Sequence, residues 1–195
     1  MEKGVAHNIY NLEVLQGFTE ANVDRLSQVI LQNRSIKFSN DPTKSIFEDC
    51  HCPDSAILDK IIEDMQQVYS TLPERRDRSL ETTSYSSRDD TPHPSSGRLS
   101  LTGKWGLIHE RNMSTNTHSH GDADIAAVLY LSVPKGAGII TFWPNPLDNY
   151  RYTIPPKKGM FLLFPGWIPH SVTRNLSDEP RVSISMNFKV NLEES

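Results

Sequence analysis

Within Thr117-His118-Ser119-His120-Gly121-Asp122-Ala123-Asp124, two histidines and two carboxylates fall inside eight residues, and Pro169-His170 follows further along the chain. Imidazoles and carboxylates are the side chains that bind divalent transition metals. The segment runs straight into an apolar stretch, Ile125 to Val133, that reads as a strand. Alternate residues of a strand share a face, so His118, His120 and Asp122 face the same way if pairing begins early enough. Two ligands from that face and one histidine from a distant strand grip three adjacent corners of a metal and leave the opposite corners open. Such a site suits divalent iron that takes substrate and oxygen side by side. The expected ligands are His120, Asp122 and His170, because one carboxylate offsets part of the ion's charge. His118 is the alternative ligand, and otherwise stands beside the metal or faces the substrate.

His170 ends the run Phe164-Pro165-Gly166-Trp167-Ile168-Pro169. A lone histidine there reads equally well as a core imidazole at a β corner. The sequel shifts the balance: Arg181, Ser183, Ser185 and Asn187 alternate with Val182, Ile184, Met186 and Phe188. On a solvent-facing edge strand this pattern is ordinary. Inside a barrel it delivers a guanidinium and a hydroxyl to the interior, the pair that binding a carboxylate requires. Trp105, Trp143 and Trp167 are candidates for a cavity wall, although Trp167 reads better as an ordinary core aromatic. Cys50 and Cys52 read as free thiols: one intervening residue strains a disulfide, and the separated pairs of a structural zinc site are missing.

Other elements must hold these residues. Residues 1–18 suggest a strand joining a sheet. Thr19-Glu20 opens a helix with apolar Val23, Leu26, Val29 and Ile30, fading near Asn33-Arg34. Residues 35–52 look irregular. Pro53-Asp54-Ser55 starts a second helix, with Ile57, Ile61, Met65 and Val68 or Tyr69 as its stripe, which ends before Pro73. Both helices are expected to brace a sheet, so residues 1–72 form an N-terminal layer. Residues 73–98 are rich in Ser, Thr, Asp, Arg and Pro, with too few apolar groups to offset their ordering. They read as a lid over the site or as a linker, with His93 solvated. From residue 99 to 195 the texture is all β. Strands are expected near 99–110, 124–133, 137–143, 150–154, 159–164, 168–174 and 181–190, a sandwich or barrel within a single mainly-β domain.

The chain has 195 residues and a formal net charge of −4, so no global basic field favours nucleic acid. No apolar run approaches the ~20 residues that span a bilayer. Met1-Glu2-Lys3-Gly4 lacks the basic-then-apolar pattern of a signal peptide. The expected location is the cytoplasm.

Five fragments in order resemble the 2-oxoglutarate- and Fe(II)-dependent dioxygenases, and most of all a small prolyl-hydroxylase-like group from bacteria and their phages with a His-x-His motif. They are His118 to Asp124, Val128-Leu129-Tyr130-Leu131, Gly138-Ile139-Ile140-Thr141-Phe142, Phe164 to His170, and Arg181 to Asn187. The resemblance implies a double-stranded β-helix (jelly-roll, cupin-like) fold, with Fe(II) and 2-oxoglutarate as cofactors and O2 as cosubstrate. It implies hydroxylation of a C–H bond with release of succinate and CO2. Its leading substrate is a prolyl residue of a protein or peptide, and its location a bacterial cytoplasm, or that of the host for a phage-encoded chain. By the same resemblance His170 is the distal iron ligand, Arg181 and Ser183 hold the far carboxylate of 2-oxoglutarate, Tyr130 assists them, and Asn187 lines the pocket floor. The superfamily's first site is His-x-Asp or His-x-Glu; here His120-Gly121-Asp122 meets it, while His118-Ser119-His120 matches the narrower group. Two rivals stand beside this: a cupin-type thiol dioxygenase using three histidines, and a non-catalytic jelly-roll binding module.

Overall fold

Apolar residues that alternate, or run in short blocks cut by Pro, Gly and Asn, make the second half of the chain a succession of strands. The computed structural model describes residues 5–9, 12–34, 48–71, 97–144 and 150–191. In chain order the elements are β1 (Val5–Ile9), β2 (Leu12–Phe18), α1 (Val23–Gln32), β3 (Glu48–Cys50), α2 (Ala56–Ser70), β4 (Arg98–His109), β5 (Thr115–His118), β6 (Ile125–Ser132), β7 (Ile140–Phe142), β8 (Tyr152–Ile154), β9 (Met160–Pro165), β10 (His170–Val172) and β11 (Arg181–Asn191). They build a seven-stranded sheet in the order β1-β2-β9-β6-β11-β4-β3 and a four-stranded sheet in the order β5-β10-β7-β8. Every pairing is antiparallel. This is the double-stranded β-helix expected above.

The period of two along each strand sorts side chains between two cores. Leu129, Phe161, Leu163, Val182, Ile184, Met186 and Phe188 lie on the outer face of the larger sheet, buried with Leu26 and Ile30 of α1 and Leu58, Ile61 and Met65 of α2. Tyr130, Leu162 and Phe164 face inward and pack with Ile140, Phe142 and Ile154 of the smaller sheet. The helices therefore brace one sheet, and the space between the sheets is left for the site.

Several local expectations change. The N-terminal strand is two strands, a β1–β2 hairpin whose second member joins β9. Helix α1 is capped by Asn22, whose Oδ1 accepts from Arg25 N at 3.2 Å, not by Thr19. Thr19 instead donates its hydroxyl to the buried Asp64 of α2 at 2.7 Å while its oxygen accepts from Ala21 N at 3.1 Å, ahead of the helix. Helix α2 starts at the Pro53-Asp54-Ser55 segment as expected, with Ser55 as its cap, accepting from Leu58 N at 3.2 Å. The α2 stripe is rotated slightly: Leu58, Ile61, Met65 and Tyr69 are buried, while Ile57 and Val68 are only partly so. Part of the stretch expected to be irregular forms β3 on the edge beside β4. Cys50 and Cys52 are free and buried. The lid-or-linker segment and His93 fall outside the described residues. Among the described residues no helix is long and apolar enough to cross a membrane.

Candidate active site

The site forms where the chain passes from one sheet to the other. β5 belongs to the smaller sheet and stops at His118, which is in register with His170 on β10. The next residues leave the strand. Ala123 N donates to His120 O at 2.7 Å, closing a turn, before β6 enters the larger sheet. Backbone bonds clamp this turn: His120 N donates to Gly166 O at 2.7 Å and Gly166 N donates to Asp124 O at 3.1 Å. A Cβ at residue 166 would stand 2.1 Å from Ala123 O, so only glycine allows so close an approach.

The crossing brings His118, His120 and His170 together, with one ligand nitrogen from each lying within 4.8 Å of the others. Asp122 is not in that group. It is exposed on the turn, because the strand alternation expected to carry it inward ends at His118. Asp124 faces the other way and binds Lys189 Nζ at 3.1 Å and Val190 N at 2.9 Å.

Hydrogen bonds orient all three rings alike. His118 Nδ1 lies 2.9 Å from Asn116 O, and His170 Nδ1 lies 3.0 Å from Ile168 O. A carbonyl oxygen only accepts, so both rings carry a proton on Nδ1, and Nε2 is the nitrogen left free to bind metal in the neutral ring. His120 Nδ1 donates in the same way to Asn187 Oδ1 at 2.6 Å. Such bonds fix the tautomer of a metal-ligating histidine and raise its basicity. Burial is the main cause that pushes His170 down to about 3, helped by His118 and then His120. Burial likewise lowers His120, aided by His118 and opposed by the bond to Asn187. Neutral imidazole is the form that binds metal.

A cavity of ≈ 340 Å³ extends from this cluster along the inner face of β11. The register puts Asn187 beside His120, then Ser185, Ser183 and Arg181 progressively farther away, at roughly 3.3 Å per residue. Ser183 pairs with Tyr130 on β6, and Arg181 with His109 on β4. Arg181 is 1% exposed. Its Nη1 donates to Gly138 O at 3.2 Å and its Nη2 to His109 Nδ1 at 3.1 Å. Three buried polar atoms here lack a hydrogen-bond partner among the described residues: Arg181 Nε, Tyr130 Oη and Ser183 Oγ. Burial holds the Tyr130 phenol up at about 12 and pulls the guanidinium below its usual value.

Trp105 lines the cavity and stacks on His120 with centroids 5.7 Å apart. Trp143 is half-buried outside the cavity lining, under the Arg151 guanidinium. Trp167, expected in the core, is 46% exposed, because the turn after β9 points it outward. Asn187 lines the cavity, and its amide oxygen is taken by His120. His109 and Thr115 went unnoticed in the sequence, where a single histidine at a strand end and a threonine in a polar run carry no signal.

Two antiparallel sheets around a cavity, with clustered histidines at one end and a buried arginine at the other, make a double-stranded β-helix with a candidate metal site inside it. Residues 103–187, which carry all of these groups, match the family described as "Putative 2OG-Fe(II) oxygenase". Over that stretch, which is less than half of the chain, the sequence is similar to the 2-oxoglutarate- and Fe(II)-dependent oxygenases, and the histidine cluster could hold the metal ion such an enzyme uses. No curated protein matches the sequence. Among solved structures, the chain is similar to a Pseudomonas putida prolyl-4-hydroxylase at 14% identity and a TM-score of 0.57, over 93% of this chain and 95% of that one. It is similar to the α-ketoglutarate-dependent epimerase SnoN from nogalamycin biosynthesis at 17% identity and a TM-score of 0.63, over 90% and 77%. A Trichoplax adhaerens prolyl hydroxylase in complex with a hypoxia-inducible-factor peptide fragment shares 14% identity at a TM-score of 0.57, over 90% and 81%. At these identities the likeness speaks for the fold.

The residues present fit both cofactors. One ligand nitrogen from each of three histidines lies within 4.8 Å of the others, and the buried guanidinium, 6.0 Å from the Tyr130 ring, keeps its Nε without a partner among the described residues, as do Tyr130 Oη and Ser183 Oγ.

Proposed function

We propose that His118, His120 and His170 hold Fe(II) through Nε2, that Arg181, Tyr130 and Ser183 hold the far carboxylate of 2-oxoglutarate, and that the enzyme hydroxylates a C–H bond presented at the cavity mouth. The observation that carries this is Arg181: a fully buried guanidinium with no carboxylate partner among the described residues. A buried charge left unpaired costs several kcal/mol. A fold keeps one where a ligand supplies the counter-charge.

When bound, iron and 2-oxoglutarate supply the oxidising chemistry: 2-oxoglutarate, O2 and R–H give succinate, CO2 and R–OH. The chain contributes positioning. The arginine fork and two hydroxyls hold the diacid's far end, so its oxo-acid end lies toward the histidines. Val128, Ile140, Phe164 and Val172 line the passage with apolar surface and keep water out. The cavity is at the small end of the ~300–1,000 Å³ usual for ligand sites, so the cosubstrate fills much of it. The substrate then enters as a protruding group past the exposed His118 and Ser119. A prolyl residue of a peptide is the first candidate, suggested by the prolyl hydroxylases among the similar structures.

The three-histidine grouping also suits a thiol dioxygenase. That reading leaves Arg181, Tyr130 and Ser183 without a ligand, and it is the weaker one. Anaerobic addition of Fe(II) followed by 2-oxoglutarate separates them. A weak visible charge-transfer band, absent in Arg181→Ala, together with succinate formation under O2, is the expected result. No band and no succinate from the wild-type protein would sink the proposal.

A further inference from the structure

We infer that His109 is the positioning residue for the cosubstrate-binding arginine, aiming the Arg181 guanidinium into the cavity and tying it, through Thr115, to the strand that ends in His118. The inference rests on the reading of Arg181 given above. An arginine side chain has many rotamers to lose, and a cation free to swing would bind a carboxylate poorly. Here two acceptors fix it: Gly138 O on one terminal nitrogen and His109 Nδ1 on the other. A Cβ at residue 138 would sit 1.9 Å from Thr173 O, so glycine is what lets this segment lie against the backbone at Thr173.

The chemistry of His109 suits the task. Arginine only donates, so Nδ1 must be bare and Nε2 must carry the proton. Nε2–H then donates to Thr115 Oγ1 at 2.8 Å. Burial, and next the Arg181 charge, hold the imidazole well below its usual pKa, so it stays neutral. A carboxylate at position 109 would also orient the guanidinium, but it would neutralise the charge that the diacid needs. A neutral acceptor orients without competing. His109 is itself held: its carbonyl accepts from the Nδ2 of fully buried Asn175 at 2.8 Å. Thr115 lines the cavity three residues before His118 on the same strand, so both ends of the site share one rigid element.

The test compares two ligands by calorimetry on anaerobic, Fe(II)-loaded protein: 2-oxoglutarate, and 2-oxopentanoate, which has the same oxo-acid end but no far carboxylate. Losing a hydrogen bond to a charged group predicts that His109→Leu weakens 2-oxoglutarate binding by about tenfold or more, with 2-oxopentanoate changed less than about twofold. His109→Asn, whose amide oxygen stands near the Nδ1 position, should recover most of the loss. Thr115→Val, close in shape, should give a smaller loss with the same selectivity, and it decides the matter if His109→Leu does not fold. Equal weakening of both ligands would reduce His109 to a structural role, and unchanged 2-oxoglutarate affinity would show that Arg181 is aimed without it. A wild-type protein that does not prefer the diacid would instead overturn the reading of Arg181 itself.

Discussion

Strand β11 carries two rows of side chains that, from Arg181 to Met186, are both buried but differently satisfied. Outward, Val182, Ile184, Met186 and Phe188 are fully buried against α1, α2 and their neighbours. Inward, Arg181 and Ser183 are buried just as deeply, yet each keeps a polar atom without a partner among the described residues. Burial by itself therefore does not separate a structural face from a working one. The outer row gains from every contact it makes. The inner row is costly as it stands, since an unmade buried hydrogen bond costs about 1–3 kcal/mol. One strand thus serves as core on one side and as binding surface on the other.

Substitutions on the two rows should behave in opposite ways. Ile184→Ala on the outer row should cost about 2–5 kcal/mol in a denaturant titration, the range for emptying a tightly packed site. Its affinity for 2-oxoglutarate should change little while folded; a loss below about 1 kcal/mol would mean the helix-backed core is loosely packed. Arg181→Met on the inner row should weaken 2-oxoglutarate binding about 100-fold. Stability should hold or rise, since an apolar chain replaces a buried charge. A large drop in stability with affinity retained would reverse the assignment of the two rows.

At the metal end, Asn187→Ala removes the acceptor that orients His120, and Fe(II) affinity should fall about 10–100-fold. Unchanged affinity would show that stacking on Trp105 is enough to hold the ring. A pH series probes the arginine end. Folded His109 has a pKa below its unfolded value near 6.5, so below that pH the unfolded chain takes up a proton that the folded one refuses. Stability should therefore fall on acidification from about pH 6.5, by at most about 1.4 kcal/mol per pH unit from this group. His109→Asn should lack that share; identical acid responses would count against a neutral, buried imidazole. The smallest effect belongs to Asp122→Asn, whose Fe(II) affinity should stay within about twofold, as for an ordinary surface change. A drop of two orders of magnitude would return the carboxylate to the ligand set.

The β architecture was legible because a period of two, punctuated by Pro, Gly and Asn, leaves a strand few alternatives. The polar row Arg181, Ser183, Ser185 and Asn187, the second helix and the segments around His120 and His170 could likewise be read along the chain. Local competition was harder to read. Thr19 accepts from Ala21 N and donates to Asp64, and only the packing of α2 beside β2 brought that carboxylate within reach and left the cap of α1 to Asn22.

What the sequence determined by itself is the supply of chemistry and the phase of each strand: which residues can bind a metal or a carboxylate, and which ones alternate. Which of them meet was decided by the tertiary structure. Alternation would have put His118, His120 and Asp122 on one face. The passage between sheets ends the strand at His118, turns His120 back against Gly166 and leaves Asp122 in solvent. Likewise His109 acquires a partner only because β4 lies beside β11 in a register that sets it against Arg181, a non-local pairing with no local sequence cause.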